Sequence, residues 1–172
     1  MFVNKFFNFN KEYENLTTAG ITGGYWIDAG CGRGAYTIPL SKLVDKVLAL
    51  DLNTANLLQL QKKIEQEQIA NIRLKQGDLR DRDEYKDKKL QGVLFAFSIH
   101  YQTNIEFLKE LLKEKESQKG FKLVIIEYTR TTPVYWVPHP YPVEKILSKL
   151  SNIQQKAEIK FKNNRYYILV LE

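Results

Sequence analysis

The segment Trp26-Ile27-Asp28-Ala29-Gly30-Cys31-Gly32-Arg33-Gly34 decides the fold of this chain. It has the pattern of a short buried strand that ends in a glycine-rich turn, and a helical segment is predicted directly after it, over 35–46. Glycines at alternate positions let the backbone adopt positive φ and let a ligand approach where a Cβ would collide. A strand that leads through such a turn into a helix is typical of nucleotide sites at the carboxyl edge of α/β sheets.

The remainder of the chain alternates between strand and helix patterns. Four further strands are predicted from apolar or alternating runs, at 47–51, 72–76, 92–99 and 122–127. This alternation predicts a Rossmann-like, doubly wound α/β fold with a mostly parallel sheet. After a helix at 143–150, strands at 157–161 and 166–170 flank the turn pair Asn163-Asn164. We therefore expect a seven-stranded sheet with an antiparallel C-terminal strand in a β6–β7 hairpin.

The composition is that of one globular domain spanning 1–172. Hydrophobic residues make up 44% and charged residues 27% of the chain, as in soluble proteins. The apolar start is interrupted by asparagines, and no run approaches the roughly 18 apolar residues of a membrane span. Cys31 is the only cysteine, so no internal disulfide forms and a cytoplasmic location is expected.

The formal charge of +6 permits an acidic partner such as nucleic acid. The lysines, however, are dispersed over the polar sides of the predicted helices, which favours solvated faces over one binding patch. We expect no membrane partner and a monomer or a homodimer. RNA stays open as an alternative partner.

Three carboxylates follow three successive predicted strands: Asp28, Asp51 and Asp78. In a parallel sheet these positions share one edge, where α/β proteins bind ligands. Asp51 follows Gly34 by 17 residues, close to the roughly 20 expected for an acid that holds ribose hydroxyls. The glycine spacing is one residue tighter than in a dinucleotide turn, and an acid before it would repel phosphate but favour an ammonium group. The pattern therefore indicates a nucleoside with an amino-acid-like tail.

These residues resemble the motifs of a known family. The run Asp28-Ala29-Gly30-Cys31-Gly32-Arg33-Gly34 looks like the first motif of class I S-adenosylmethionine-dependent methyltransferases, and Asp51 and Asp78 match that family's acids after the second and third strands. The resemblance covers essentially the whole chain. Within the family it is nearest to small, single-domain enzymes of the ubiquinone/menaquinone C-methyltransferase type. It implies S-adenosylmethionine as cofactor, S-adenosylhomocysteine as product and no metal ligands.

The resemblance implies roles for five residues at the methionine end of the cofactor. Gly30, Cys31 and Gly32 would line this part. Asp28 would lie near the ammonium group, through backbone or water. Ser98, at the end of the fourth strand, would face the same end of the cofactor. Cys31 is interpreted as a small lining residue, because no base or Pro-Cys pair accompanies it.

Five further residues are implied at the nucleoside end. Asp51 would hold the ribose, and Leu52 and Asn53 would flank the adenine. Asp78 would accept from the adenine amino group, with Leu79 packed beside it. The alternative for each carboxylate taken singly is an ordinary loop or helix cap.

The acceptor side rests on fewer residues. His100, after the fourth strand, is a candidate general base because an imidazole titrates near neutral pH; the alternative is that it only shapes the pocket. The remaining substrate candidates are Tyr13, Tyr101, His139 and Tyr141. Residues 1–25 are predicted to form a helical lid, in which Phe2, Phe6 and Phe9 recur at helical spacing with Tyr13. Residues 129–142 are predicted to form a Pro-rich aromatic substrate loop.

The function expected from these features is methyl transfer to a small-molecule acceptor. Three alternatives stay open: an RNA- or protein-directed methyltransferase, a module that binds the cofactor without turnover, and a dehydrogenase. The run Phe97-Ser98-Ile99-His100 replaces the Asp/Asn-Pro-Pro-Tyr-type motif of enzymes that methylate amino groups of DNA bases. The glycine spacing and the terminal hairpin both oppose the dehydrogenase.

Overall fold

A seven-stranded sheet organises the computed structural model, which describes residues 10–81, 85, 86, 88–151 and 156–172. The strands are β1 (Tyr25–Ala29), β2 (Lys46–Asp51), β3 (Ile72–Gln76), β4 (Gly92–Ala96), β5 (Lys122–Tyr128), β6 (Ala157–Lys162) and β7 (Tyr166–Leu171). The helices are α1 (Asn10–Thr18), α2 (Thr37–Ser41), α3 (Thr54–Gln66), α4 (Phe107–Lys115) and α5 (Val143–Leu150). The strand order is β3-β2-β1-β4-β5-β7-β6. Strands β1 to β5 are parallel, and β7 lies antiparallel between β5 and β6. The predicted Rossmann-like architecture is confirmed.

Helices cover both faces of the sheet because its central strands are apolar on both sides. On one face, Leu108 and Leu111 of α4 and Ile146 of α5 pack into one buried cluster. On the other face, Leu16 of α1 and Leu40 of α2 belong to a second cluster, and α3 adds a third. None of the described helices has the length and apolarity needed to cross a membrane.

Two predicted elements are shorter than the sequence pattern indicated. The helix expected over 35–46 is limited to Thr37–Ser41, because the chain must turn again before β2 begins at Lys46. The strand expected over 92–99 ends at Ala96. Phe97 then adopts φ +53°, a conformation costly for a bulky residue and found mainly where function requires it. The chain continues into a short 3-10 turn, Ile99–Tyr101.

The C-terminal hairpin forms as the sequence predicts. Asn163 and Asn164 both have positive φ, 51° and 53°, as a two-residue turn between right-twisted strands requires. The register pairs Lys162 with Tyr166. This hairpin places β7 beside β5. Strand β5 therefore lies between β4 and β7 in the sheet.

Candidate functional site

A cavity of about 620 Å³ opens at the carboxyl edge of the parallel strands. Its walls come from the segments that follow β1, β2, β3 and β4. All ten residues predicted to hold the cofactor line it: Asp28, Gly30, Cys31, Gly32, Asp51, Leu52, Asn53, Asp78, Leu79 and Ser98. The topology therefore brings together side chains that are up to 70 positions apart in the sequence.

The glycine turn shapes the floor of this cavity through three positive-φ positions. A Cβ on Gly30 (φ +77°) would lie 2.6 Å from Cβ of Ser98, and one on Gly34 (φ +84°) would lie 2.3 Å from Cδ1 of Leu60. A Cβ on Gly32 (φ +53°) would meet no atom within 4 Å. Gly30 and Gly34 are thus required by packing, whereas Gly32 leaves space that opens to the cavity.

This difference predicts that alanine at Gly30 mainly lowers stability, whereas alanine at Gly32 mainly weakens ligand binding. Gly30→Ala should destabilise the fold by about 3 kcal/mol, because it adds a clash to the strain of positive φ. Gly32→Ala should cost only about 1 kcal/mol in stability but weaken ligand binding at the cavity floor. Chemical denaturation and calorimetry with S-adenosylhomocysteine measure the two effects separately. Equal stability loss in both variants would contradict the assignment of Gly32 to the cavity wall.

Asp51 ties the glycine turn to the start of α3. Its Oδ2 accepts from the Gly32 N–H at 2.8 Å, and its Oδ1 accepts from the Asn53 N–H at 2.8 Å. Asn53 in turn caps α3 by accepting from the Ala55 N–H at 2.9 Å. Each carboxylate oxygen has about two acceptor sites, so Asp51 keeps acceptor capacity toward the cavity that it lines.

Asp28 is almost fully buried beneath the turn. Burial, reinforced by the nearby charge of Asp51, raises the pKa of Asp28 to about 7, even though Thr37 donates a hydrogen bond to its Oδ2 at 2.6 Å. The folded chain therefore holds a carboxyl group that gains from a cation beside it, since a cation would favour its ionised form.

Asp78 is the most strongly paired of the three strand-end acids. Arg80 donates to it from Nε at 2.6 Å, from Nη2 at 3.1 Å and from its backbone N–H at 2.9 Å. Partial burial acts to raise the pKa of Asp78, but these hydrogen bonds and the Arg80 charge outweigh it and lower the pKa below its ordinary value. Gln102 donates from Nε2 to Oδ2, the oxygen that also accepts from Nη2 of Arg80, at 3.4 Å. Asp78 is thus an ionised carboxylate at the cavity wall, and the Gln102 contact is the longest of these four hydrogen bonds.

Cys31 and Ser98, which are predicted to lie at the methionine end of the cofactor, both line the cavity. Burial and the nearby carboxylates of Asp28 and Asp51 raise the pKa of the Cys31 thiol, so the group stays protonated at neutral pH and is a poor nucleophile. Ser98 donates to the carbonyl of Ala29 at 2.6 Å, which joins β4 to the glycine turn.

Of the residues predicted for the acceptor side, only one lines the cavity. Tyr101 lines the cavity and is 61% exposed. His100 does not line it: the ring is buried, and Nδ1 lies 2.8 Å from Oε2 of Glu127. The other three candidates, Tyr13, His139 and Tyr141, also lie outside the cavity wall.

Local packing explains where these three residues lie. Tyr13 is on the exposed side of α1. Tyr141 is buried and donates its hydroxyl to the Gln102 carbonyl at 2.9 Å. His139 donates its backbone N–H to the His100 carbonyl at 3.1 Å. Phe2, Phe6 and Phe9 lie outside the described residues, so a lid over the cavity stays a prediction.

The cavity-lining side chains that were not anticipated from the sequence include Tyr36, Asn56, Phe97, Gln102 and Phe107. Phe97 was assigned to a strand, and its positive φ turns its ring toward Tyr128 (centroids 4.7 Å apart) and Tyr36 (6.1 Å). An aromatic residue at the end of a central strand was the only available signal. No cluster of three or more potential metal ligands occurs among the residues that the structure describes.

Solved structures share this architecture. A SAM-dependent methyltransferase from Aquifex aeolicus is 17% identical, with 93% of this chain and 88% of that chain covered and a TM-score of 0.74. The glycopeptide N-methyltransferase MtfA, complexed with sinefungin, is 14% identical, with 96% and 94% covered and a TM-score of 0.75. An rRNA methylase from Streptococcus thermophilus is 20% identical, with 94% and 93% covered and a TM-score of 0.66. These likenesses establish the fold.

The sequence itself carries the family assignment. No curated protein matches it significantly, but the family model described as "Methyltransferase domain" matches residues 27–116, more than half of the 172-residue chain. That range begins within β1 and includes the glycine turn, Asp51 and Asp78. The nearer resemblance to ubiquinone/menaquinone C-methyltransferases stays a prediction. This protein therefore belongs to the methyltransferase-domain family, as the glycine turn and the strand-end carboxylates indicated.

Proposed function

We propose that this protein transfers a methyl group from S-adenosylmethionine to a small-molecule acceptor. The proposal rests on one observation: the glycine turn, Asp51 and Asp78 all line the same cavity. Membership of the methyltransferase family and the likeness to the SAM-dependent methyltransferase from Aquifex aeolicus support S-adenosylmethionine as the methyl donor.

The residues of the cavity fit this donor chemically. We assign Asp51 to the ribose hydroxyls, since its carboxylate retains acceptor sites. We assign the ionised Asp78 to the adenine amino group, and Leu52, Asn53 and Leu79 to the neighbouring wall. The open space above Gly32 accommodates the methionine portion, with Asp28 near the ammonium group and Cys31 and Ser98 alongside. The bound donor would supply an electrophilic methyl group on a positively charged sulfur.

One contribution of the chain to catalysis is alignment. Holding donor and acceptor in reactive geometry lowers the barrier substantially without any proton transfer. Tyr101, at the Ser98 side of the cavity wall, is the described residue best placed to contact an acceptor there. We retain the loop 129–142 as a proposed outer wall of the acceptor site.

A direct test combines binding and turnover. Calorimetry should detect binding of both S-adenosylmethionine and S-adenosylhomocysteine, and a panel of small acceptors should release S-adenosylhomocysteine. Absence of binding by either ligand would contradict the proposed function. Tight binding without product from any acceptor would instead favour a module that binds the cofactor without turnover.

An RNA acceptor is the second candidate, and one surface feature favours it. Tyr135 is 97% and Trp136 59% exposed, at the tip of a turn in which Val134 and Val137 exchange backbone hydrogen bonds of 3.1 and 3.0 Å. Residues 128–142 contain Arg130 and no acid, and exposed aromatic rings near cations stack on unpaired bases.

RNA binding is tested by its salt dependence. Affinity for an unstructured RNA should fall steeply as salt rises, and Trp136→Ala should weaken it by about tenfold. Lys119→Ala, which removes a cation elsewhere on the surface, serves as a comparison. Lack of binding at low salt would exclude this candidate in favour of a small acceptor.

A further inference from the structure

A buried pair of ionisable side chains, Glu127 and His100, lies beside the cavity. Nδ1 of His100 is 2.8 Å from Oε2 of Glu127, and 3% and 0% of the two side chains are exposed. The other carboxylate oxygen, Oε1, accepts from the Tyr128 N–H at 2.7 Å. No lysine or arginine among the described residues pairs with Glu127. Among the described side chains, the imidazole of His100 is therefore the partner of this carboxylate.

The pair fixes which nitrogen of the imidazole is free. Because an ionised carboxylate only accepts hydrogen bonds, we assign the proton to Nδ1, which leaves the lone pair of the neutral ring on Nε2. Among described residues, Nε2 has no hydrogen-bond partner, yet none of their buried side-chain nitrogens or oxygens lacks one. Nε2 is thus not among the buried atoms, and the accessible fraction of His100 includes it.

The aromatic neighbours of the His100 ring place it next to the cavity. The His100 ring packs against Tyr101 (centroids 4.3 Å apart) and Tyr128 (5.7 Å). Tyr101 lines the cavity, and Phe97, which also lines it, packs on Tyr128 at 4.7 Å. Ser98, assigned to the methionine end, is two residues before His100.

We propose that an acceptor bound at the Tyr101 part of the cavity wall gives up a proton to Nε2 of His100, with Glu127 as the positioning residue. This inference rests on the proposed function. It deepens that function by naming the acceptor class: a nucleophile, such as a hydroxyl or an amine, whose reacting atom must lose a proton.

The proton and electron balance of the step is complete. The acceptor atom uses a lone pair to bond the methyl carbon, and the carbon–sulfur bond breaks with its electron pair left on sulfur. The acceptor's proton moves to Nε2, which produces an imidazolium. Glu127 stabilises that charge through Nδ1–H, as a general base held by a carboxylate requires.

Nuclear magnetic resonance on the whole protein tests the placement without any acceptor. The chain has only two histidines, His100 and His139, and a His139→Asn variant assigns their side-chain ¹⁵N signals. S-adenosylmethionine carries a positive sulfur and S-adenosylhomocysteine a neutral one. If Nε2 faces the reacting sulfur, the ratio of neutral to charged His100 at fixed pH should be about threefold or more higher with S-adenosylmethionine.

His139 serves as the internal reference in this comparison, because its response to the two ligands should be equal. An identical response of His100 to both bound ligands would overturn the inference while leaving the proposed function intact. Failure of both ligands to bind would instead overturn the proposed function, so the two failures are distinguishable.

The role of Glu127 is tested with the isosteric Glu127→Gln variant. Glutamine can donate to Nδ1, which allows the neutral ring to carry its proton on Nε2. Acylation of His100 by diethyl pyrocarbonate should therefore slow by about tenfold relative to His139, and Glu127→Asp should restore much of the rate. Unchanged acylation in a folded Gln variant, or no acylation of wild-type His100, would contradict the assignment.

Discussion

Asp51→Ala is expected to weaken S-adenosylmethionine binding by about 10²–10³-fold, because hydrogen bonds to a charged carboxylate contribute about 1.5–3 kcal/mol each. The loss has two sources. The variant removes the acceptor assigned to the ribose, and it also releases the N–H groups of Gly32 and Asn53 that Asp51 holds at 2.8 Å. The glycine turn and the start of α3 would then no longer be joined.

Calorimetry on matched variants separates these two sources. Asp51→Asn keeps a carbonyl oxygen for one of the backbone donors and should bind more tightly than the alanine variant. Asp81→Ala removes a carboxylate that pairs with Lys75 at 3.1 Å and does not line the cavity, so it controls for the loss of charge. Equal affinity in wild type and Asp51→Ala would exclude Asp51 from the binding site.

Asp28→Asn is expected to stabilise the empty protein at alkaline pH while it weakens binding of the donor. In the folded chain burial raises the pKa of Asp28 from 3.8 to about 7. Between these values the folded state binds more protons than the unfolded state, so stability decreases as pH rises and levels off above about pH 7. Asparagine does not ionise, and the variant should be more stable by on the order of 4 kcal/mol above that pH.

Chemical denaturation at acidic and alkaline pH measures the stability effect, and calorimetry measures the affinity. The wild-type protein should lose stability between about pH 4 and pH 7 relative to the variant. If Asp28 faces the ammonium group, the variant should also bind S-adenosylmethionine about tenfold more weakly. A variant that is less stable at every pH would show that the Asp28 charge is satisfied in the empty protein.

The common location of the strand-end carboxylates at one cavity was predictable from the sequence because it depends on local patterns. Each strand-end acid directly follows an apolar strand, and a parallel sheet brings such positions to one edge. Asp28, Asp51 and Asp78 were therefore placed together without any tertiary information. The glycine spacing, together with the acid before it, distinguished this turn from the dinucleotide pattern.

The acceptor half was predicted less well because it depends on contacts between distant elements. His100 was identified as a candidate base, but nothing in its neighbourhood in the sequence indicated Glu127, 27 positions later. The positive φ of Phe97 could not be predicted either, because the apolar run 92–99 has the same sequence pattern whether the strand continues or ends at Ala96. Tyr141 was assigned to the pocket although its hydroxyl is bonded to the Gln102 carbonyl.

The sequence by itself determined the order of strands and helices, the glycine turn and the three carboxylates at one sheet edge. These features follow from residue spacing along single elements, which hydrophobic periodicity and backbone conformational preference control. Only the tertiary structure decided that Nδ1 of His100 faces Glu127 and which aromatic rings surround the imidazole. Those features follow from the pairing of β5 with β4. No local sequence pattern predicts the side-chain contacts between these two segments.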